Sequence, residues 1–85
     1  MIDEIFKAVC EYRKGRKDVA LQVAMHPRVY QDCLQEDYNS VMSAFDLRLN
    51  KQPETMFGYS LLIDSNFDDD EWRVQNPVIL ISRNV

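Results

Sequence analysis

The chain has 85 residues, of which 46% are apolar and 28% charged, with 2 Gly and 3 Pro. These proportions are typical of a single small globular domain over residues 1–85, and they exclude wholesale disorder or a collagen-like repeat. The net charge of −4 opposes tight binding to a phosphate backbone, so we expect no direct nucleic-acid partner. The apolar runs at 61–63 and 78–81 are far shorter than the ~20 residues of a membrane span, so we expect no membrane partner.

The first segment predicts an amphipathic helix over residues 2–12. Its apolar positions recur every three or four residues, which gives a helix one buried face. These positions are Ile2, Ile5, Phe6, Val9 and Cys10. Gly15 then stands where a left-handed residue ends many helices. Four of residues 13–17 are basic, and positive charge is favourable near the negative, C-terminal end of a helix dipole. This basic cluster therefore does not require an anionic partner.

Residues 18–25 predict a strand with one strongly apolar face, because apolar and small or polar residues alternate there. The apolar positions are Val19, Leu21, Val23 and Met25. His26-Pro27 ends this strand, since proline cannot donate to a sheet ladder and its fixed φ suits the first turn of a helix. The next helix is therefore expected to begin at once.

The middle of the chain predicts one further amphipathic helix of about four turns over residues 29–45. Its apolar positions are Val29, Tyr30, Cys33, Leu34, Tyr38, Val41, Met42 and Phe45. A polar connector follows at 46–55, and aromatic and β-branched residues then predict strands at 56–63, 72–74 and 78–81. We therefore predict an α+β fold of order α-β-α-β-β-β, with two helices packed on a small, mainly antiparallel sheet.

The polar turn between the first two of these strands is strongly acidic. Asp64, Asn66 and Asp68 match the first three ligand positions of a calcium-binding loop. Asp69 stands where that loop needs glycine, and Gln75 stands where it needs a bidentate glutamate, so we predict no EF-hand and no bound metal. A looser divalent-cation site and a solvated loop facing a basic partner remain alternatives for this turn.

Nucleophilic chemistry has few candidates in this chain. Cys10 and Cys33 both lie in apolar periodic patterns, which favours two reduced thiols packed as small hydrophobes. The alternative is a small thiol-dependent hydrolase that pairs one of them with His26, the only histidine. Glycine occurs only at 15 and 58, which excludes a phosphate-binding loop. We predict no catalytic residues and no cofactor.

The aromatic residues of the last thirty positions have two interpretations. On paired strands, such side chains fill the core or cross-strand positions, but aromatic anchors are also enriched at binding hot spots. We predict that the partner-binding surface combines aromatic residues with the acidic run. Its residues are Tyr59, Phe67, Asp68, Asp69, Asp70, Glu71 and Trp72.

Three stretches, 23–30, 57–67 and 72–74, give a strand-His-Pro-helix-Gly-strand passage that resembles the major capsid proteins of tailed phages. The His-Pro pair is His26-Pro27 and the glycine is Gly58, although the family usually has proline where this chain has Ser60. In that family the passage lies in the shell-forming body and acts through subunit contacts. The resemblance implies a phage or prophage origin and a non-catalytic role.

The leading functional hypothesis is a non-catalytic protein–protein interaction module, a structural or assembly accessory of phage origin. Its partner would be another protein or a second copy of the chain, in the host cytoplasm or on the virion. The alternative is an acidic inhibitor that mimics nucleic acid, with residues 68–71 in place of phosphates in a basic groove of a host protein.

Overall fold

A computed structural model describes residues 1–16, 20–46 and 52–77. These residues form α1 (Ile2–Arg13), β1 (Gln22–Met25), α2 (Pro27–Leu34), α3 (Tyr38–Ala44), β2 (Thr55–Met56), β3 (Tyr59–Ile63) and β4 (Trp72–Gln75). The predicted α+β class is confirmed, but there are three helices where two were predicted. The strand predicted at 78–81 lies outside the described residues, as do 17–19 and 47–51.

The buried face of α1 is narrower than its apolar pattern predicted. Ile2, Ile5 and Val9 are buried in the core. Phe6 and Cys10 belong to the same pattern, yet Phe6 is 50% exposed and the Cys10 thiol is exposed. The prediction of a five-residue core face was therefore wrong for these two positions, and an apolar flank of α1 faces outward.

The two ends of α1 are held by different means. At its start, the Ile2 N–H donates to the Glu36 carboxylate at 3.2 Å, which satisfies one of the N–H groups that lack a partner within the helix. At its end, the chain leaves the helix at Lys14, whose φ of −57° and ψ of 124° are not helical. Gly15 follows with a φ of 72°, in a turn that the Arg16 N–H and the Arg13 carbonyl close at 2.9 Å. The predicted helix is confirmed, but Gly15 belongs to this turn and is not the cap of the helix.

The sheet has the strand order β2-β3-β1-β4 and is mixed. β1 is parallel to β3 and antiparallel to β4, whereas β2 and β3 form an antiparallel hairpin. All four residues of the central strand β1 are buried, so the face that carries Gln22 and Ala24 is covered as well as the strongly apolar face that the alternation predicted. Gln22 tolerates this burial because its amide oxygen accepts from the Gln75 side chain at 2.7 Å.

The long helix predicted over 29–45 is two helices in the structure. α2 begins at Pro27 after His26, as predicted, but it ends at Leu34. Asp37 then starts α3, because its carboxylate accepts from the Ser40 N–H at 3.3 Å. The break turns Tyr38 outward to 74% exposure, although the continuous pattern predicted that it would be buried.

The strand predicted over 56–63 is also interrupted. Phe57 and Gly58 form a two-residue turn between β2 and β3, with φ angles of 54° and 82°. Both angles are positive, as in the type I′ turns that favour hairpins. Phe57 is an unusual residue for this conformation, and two contacts support it there. Its N–H donates to the Ala44 carbonyl at the end of α3, and its ring meets the edge of Phe6 at a centroid distance of 5.1 Å.

The core lies between the helices and the sheet face that carries Val23 and Met25. Both of these residues are fully buried, and their neighbours on β3 and β4 pack partly buried against the same cluster. The buried cluster consists of Ile2, Ile5, Val9, Leu21, Val23, Met25, Val29, Cys33, Val41, Ala44, Phe45 and Met56. This arrangement leaves the outer flanks of α1 and α3 and the loop between β3 and β4 at the surface.

Candidate functional site

Most of the predicted partner-binding residues lie in or beside the loop that joins β3 to β4. This acidic turn comprises residues 64–71. Two backbone hydrogen bonds fix its ends: the Asp64 N–H donates to the Met25 carbonyl at 2.9 Å, and the His26 N–H donates to the Glu71 carbonyl at 3.0 Å. The acidic turn is therefore anchored on both sides of the junction between β1 and α2.

Asp69 of the acidic turn contacts the start of α2. One of its carboxylate oxygens lies 3.5 Å from His26 Nε2, and the other accepts from Arg28 Nη1 at 3.3 Å. His26 Nδ1 accepts from the backbone N–H of Arg28 at 3.0 Å and so caps α2. With Nδ1 accepting, the neutral ring carries its proton on Nε2, facing Asp69. His26 thus joins the helix start to the turn.

Glu71 is paired as well. Its carboxylate accepts from the Arg73 guanidinium and, at 3.1 Å, from the backbone N–H of Asp68. These two hydrogen bonds, chiefly the one from Arg73, lower the pKa of Glu71 below its ordinary value. Arg73 also lies over the ring of Phe67, at 4.8 Å from its centroid. Two of the four acidic residues predicted to mimic phosphates therefore already pair with cations of this chain.

The remaining acidic side chains of that run are those of Asp68 and Asp70. Both residues are exposed, and neither carboxylate has a hydrogen-bond or ion-pair partner among the described residues. Within the same part of the chain, no group of three or more His, Cys, Asp or Glu residues is placed to hold a metal ion. Within residues 68–71, the acidic turn therefore presents two carboxylates to solvent without a partner among the described residues.

The predicted aromatic anchors are not grouped together. Trp72 pairs with Met25, which pairs in turn with Ile63, so Trp72 lies at the acidic end of the sheet. Tyr59 begins β3, at the opposite end of that strand, and the Arg13 guanidinium lies over its ring at 5.5 Å. Both Trp72 and Tyr59 pack partly buried against the core. This placement favours the core interpretation of these two residues.

The thiols of Cys10 and Cys33 differ sharply in solvent accessibility. Cys33 is fully buried, and burial raises the pKa of its thiol to about 11, which disfavours the nucleophilic thiolate. Cys10 is exposed on α1. Among the described residues, no hydrogen bond joins either sulfur to His26, whose two ring nitrogens face Arg28 and Asp69. This geometry gives the hydrolase alternative no nucleophile–base pair.

A different surface, which the sequence did not reveal, carries the large exposed apolar side chains. In the described part of the chain they are Met1, Phe6, Tyr38 and Met42, with exposures of 38%, 50%, 74% and 44%. All four lie on α1, on α3 or directly before α1. We call these residues the helical surface. Their apolar periodicity was visible in the sequence, but it was assigned to the core.

An open groove of about 230 Å³ lies between α1 and α3 beside the helical surface. Phe6 and Phe57 supply aromatic walls, and Asp3 is the only charged residue in its lining. Its volume is below the roughly 300–1,000 Å³ of cavities that hold drug-sized molecules. The full lining is Ile2, Asp3, Phe6, Asn39, Ser40, Ser43 and Phe57. Such a groove suits one or two side chains of a protein partner.

Comparisons with known proteins do not assign a function to these surfaces. No protein-family model, curated protein or solved structure matches the chain. Across residues 1–16, 20–46 and 52–77, none of the helices has the length and apolar character needed to cross a membrane. The two candidate binding surfaces are therefore the acidic turn and the helical surface.

Proposed function

We propose that this chain is a non-catalytic protein-interaction module that binds its partner through the helical surface. The observation that carries this proposal is the location of the exposed apolar side chains. In the described residues, every large apolar side chain that remains well exposed belongs to α1, α3 or the residue before α1. Aromatic side chains and methionine are enriched at protein interfaces.

The composition of the helical surface agrees with a binding role. Phe6 and Tyr38 are aromatic, and Met42 is flexible and adapts its shape to different partners. The exposed area of these side chains contributes no apolar burial to the folded chain, so covering that area with a partner would be favourable. A chain of 85 residues also has a small core, and small domains often gain stability through association.

The proposed origin and location of this module come from the sequence alone. A structural or assembly accessory of phage or prophage origin, in the host cytoplasm or on the virion, remains part of the proposal. Its support is the resemblance of residues 23–74 to the shell-forming passage of phage capsid proteins, in which subunit contacts perform the function. The partner is accordingly a protein, and a second copy of the chain is one candidate.

The acidic inhibitor is the second candidate function. The exposed carboxylates of Asp68 and Asp70, which have no partner among the described residues, favour it. The pairing of Asp69 with Arg28 and of Glu71 with Arg73 weakens it, because these carboxylates are less available to a basic groove. Binding by mimicry should weaken steeply as salt rises, whereas binding through the helical surface should depend little on salt.

Site-specific photo-crosslinking in cells that naturally make the chain tests the proposed function. Benzoyl-phenylalanine replaces Tyr38 on the helical surface in one version and Ser65 in the acidic turn in the other. We expect discrete protein adducts from position 38, lost when Phe6→Ser is added, and few from position 65. Adducts from position 65 alone would contradict the proposal and favour the acidic inhibitor.

A further inference from the structure

α1 carries an exposed stripe that is complementary to itself in the antiparallel direction. Five exposed residues recur at spacings of three and four along one flank of the helix, which places them in a row. They are Asp3, Phe6, Lys7, Cys10 and Arg13. The row begins with a carboxylate, has Phe6, Lys7 and Cys10 in its middle and ends with a cation. We call it the α1 stripe.

We propose that the partner is a second copy of this chain, which covers Phe6 of the helical surface by packing the two α1 stripes antiparallel. The inference rests on the proposed function and names its partner. Asp3 and Arg13 are ten residues apart, so the pairing is centred on position 8. Asp3 of each copy then faces Arg13 of the other, and Phe6 of each faces Cys10 of the other. This is the isologous contact of a two-fold dimer.

Charge selects this orientation and register among the alternatives. Parallel packing would set Asp3 against Asp3 and Arg13 against Arg13. An antiparallel register centred on Cys10 would set Lys7 against Arg13, and one centred on Phe6 would leave Asp3 facing Val9. Only the register centred on position 8 brings opposite charges together at both ends and an apolar pair on each side of the centre. Antiparallel helix dipoles favour the same orientation.

Asp3 and Arg13 are both available for this contact. Neither forms an ion pair within the described residues. Arg13 stacks over Tyr59 with its guanidinium carbon 5.5 Å from the ring centroid. Stacking engages the face of a guanidinium and leaves its N–H edge free to donate to a carboxylate. Asp3 lines the groove beside Phe6, so the arriving cation would meet both a carboxylate and an aromatic ring.

Lys7 opposes the pairing and sets a limit on its strength. It lies next to the centre, where the two copies of Lys7 approach each other, although Glu4 and Glu11 on the same helix lie three and four residues away. α1 has only 12 residues, so two such helices cover less than the roughly 1,200 Å² typical of stable complexes. The dimer should therefore be weak and reversible, and Lys7→Gln should strengthen it.

Charge reversal with mixing tests the register by analytical ultracentrifugation up to near-millimolar concentration. Asp3→Arg alone and Arg13→Asp alone should each weaken self-association about tenfold, because each reverses both charge pairs. An equimolar mixture of the two variants should associate again, since every contact in the mixed dimer joins Arg to Asp. Asp32→Arg is the control: it makes the same charge change on the exposed side of α2, away from α1, so association should be unchanged.

The milder variants Asp3→Asn and Arg13→Gln, checked by circular dichroism, cover the case in which a reversal prevents folding. They should weaken association less than the reversals do. Failure of the mixture to associate, or equal weakening by Asp32→Arg, would overturn the register. A wild-type chain that stays monomeric throughout would overturn the second copy as partner. The crosslinking test at position 38 would still decide the proposed function, because it detects any protein partner.

Discussion

Phe6 on the helical surface and Asp69 in the acidic turn are both exposed, but their surroundings differ. Asp69 has two partners within the chain, His26 and Arg28, so much of its charge is already compensated. Phe6 forms an edge-type contact with Phe57 and leaves half of its area in water. A charged surface with internal partners needs no binding partner to explain it, whereas an exposed aromatic flank gains from being covered.

The largest expected contrast compares two methionines, since Met25 is fully buried and Met42 is 44% exposed. Met25→Ala should lower the free energy of unfolding by about 2–5 kcal/mol, because it opens a cavity beneath the sheet. Met42→Ala should change it by less than about 0.5 kcal/mol but reduce crosslinking from position 38. Urea denaturation followed by tryptophan fluorescence measures both. Equal destabilisation would place Met42 in the core and weaken the helical surface.

The two cysteines give the next contrast. Cys10 is exposed on the α1 stripe, whereas Cys33 is fully buried. A thiol reagent should label Cys10 at the rate of a free thiol and Cys33 at least about a hundredfold more slowly, because Cys33 reacts only when the structure opens. Mass spectrometry of Cys10→Ser and Cys33→Ala variants separates the two rates. Similar rates would show that the buried cluster around Cys33 is accessible.

The buried thiol also predicts a loss of stability at alkaline pH. Burial raises the pKa of Cys33 from 9.0 to about 11, so between these values the unfolded chain loses a proton that the folded chain keeps. Stability should therefore fall as pH rises above 9 and the contribution should level off above about 11. Cys33→Ala should remove this contribution from the pH profile of urea unfolding. An unchanged slope in the variant would assign the alkaline loss to other groups.

A smaller effect is expected at the junction between the sheet and the acidic turn. His26→Ala removes the Nδ1 cap of α2 and the contact with Asp69, which should cost about 1–2 kcal/mol of stability. His26→Asn keeps a capping oxygen and should recover most of that loss. Thermal unfolding compares the two variants. A loss of similar size in both would show that the contact with Asp69, not the cap, is the main contribution.

The smallest effect is expected at Glu71, which is half-buried. Arg73 lowers the pKa of Glu71, so this pair stabilises the fold at pH values above the ordinary pKa of 4.5. The contribution should disappear as pH falls through the lowered folded-state pKa. Glu71→Gln should therefore flatten the acid limb of the stability profile slightly, while Asp70→Gln, its unpaired neighbour, should not. An identical change in both variants would contradict the assigned pairing.

Some elements of the fold could be predicted from the sequence and others could not. The start of α2 was predicted correctly because Pro27 cannot extend a strand and fits the first turn of a helix. The break between α2 and α3 was missed because the apolar spacing runs on past it and no glycine or proline marks it. Asp37, three residues before Ser40, was the available signal, since its side chain caps α3.

Other features depend on tertiary contacts that no local pattern encodes. Phe57 takes a positive φ in the hairpin turn because Ala44 and Phe6 hold it there. Both faces of β1 are buried, whereas its alternating sequence identified one strongly apolar face and carried no information about what covers the other. The helical surface was missed for the same reason, because periodicity identifies an apolar face without saying what covers it.

The most direct test of the central claim is a dilution series of two-dimensional ¹H–¹⁵N NMR spectra, from low micromolar to near-millimolar concentration. We predict that concentration-dependent shifts map to the amides of α1, centred on Phe6, Cys10 and Arg13, and leave residues 65–70 unchanged. Shifts confined to the acidic turn would contradict the account, and so would an α1 that is insensitive to concentration in a chain that self-associates.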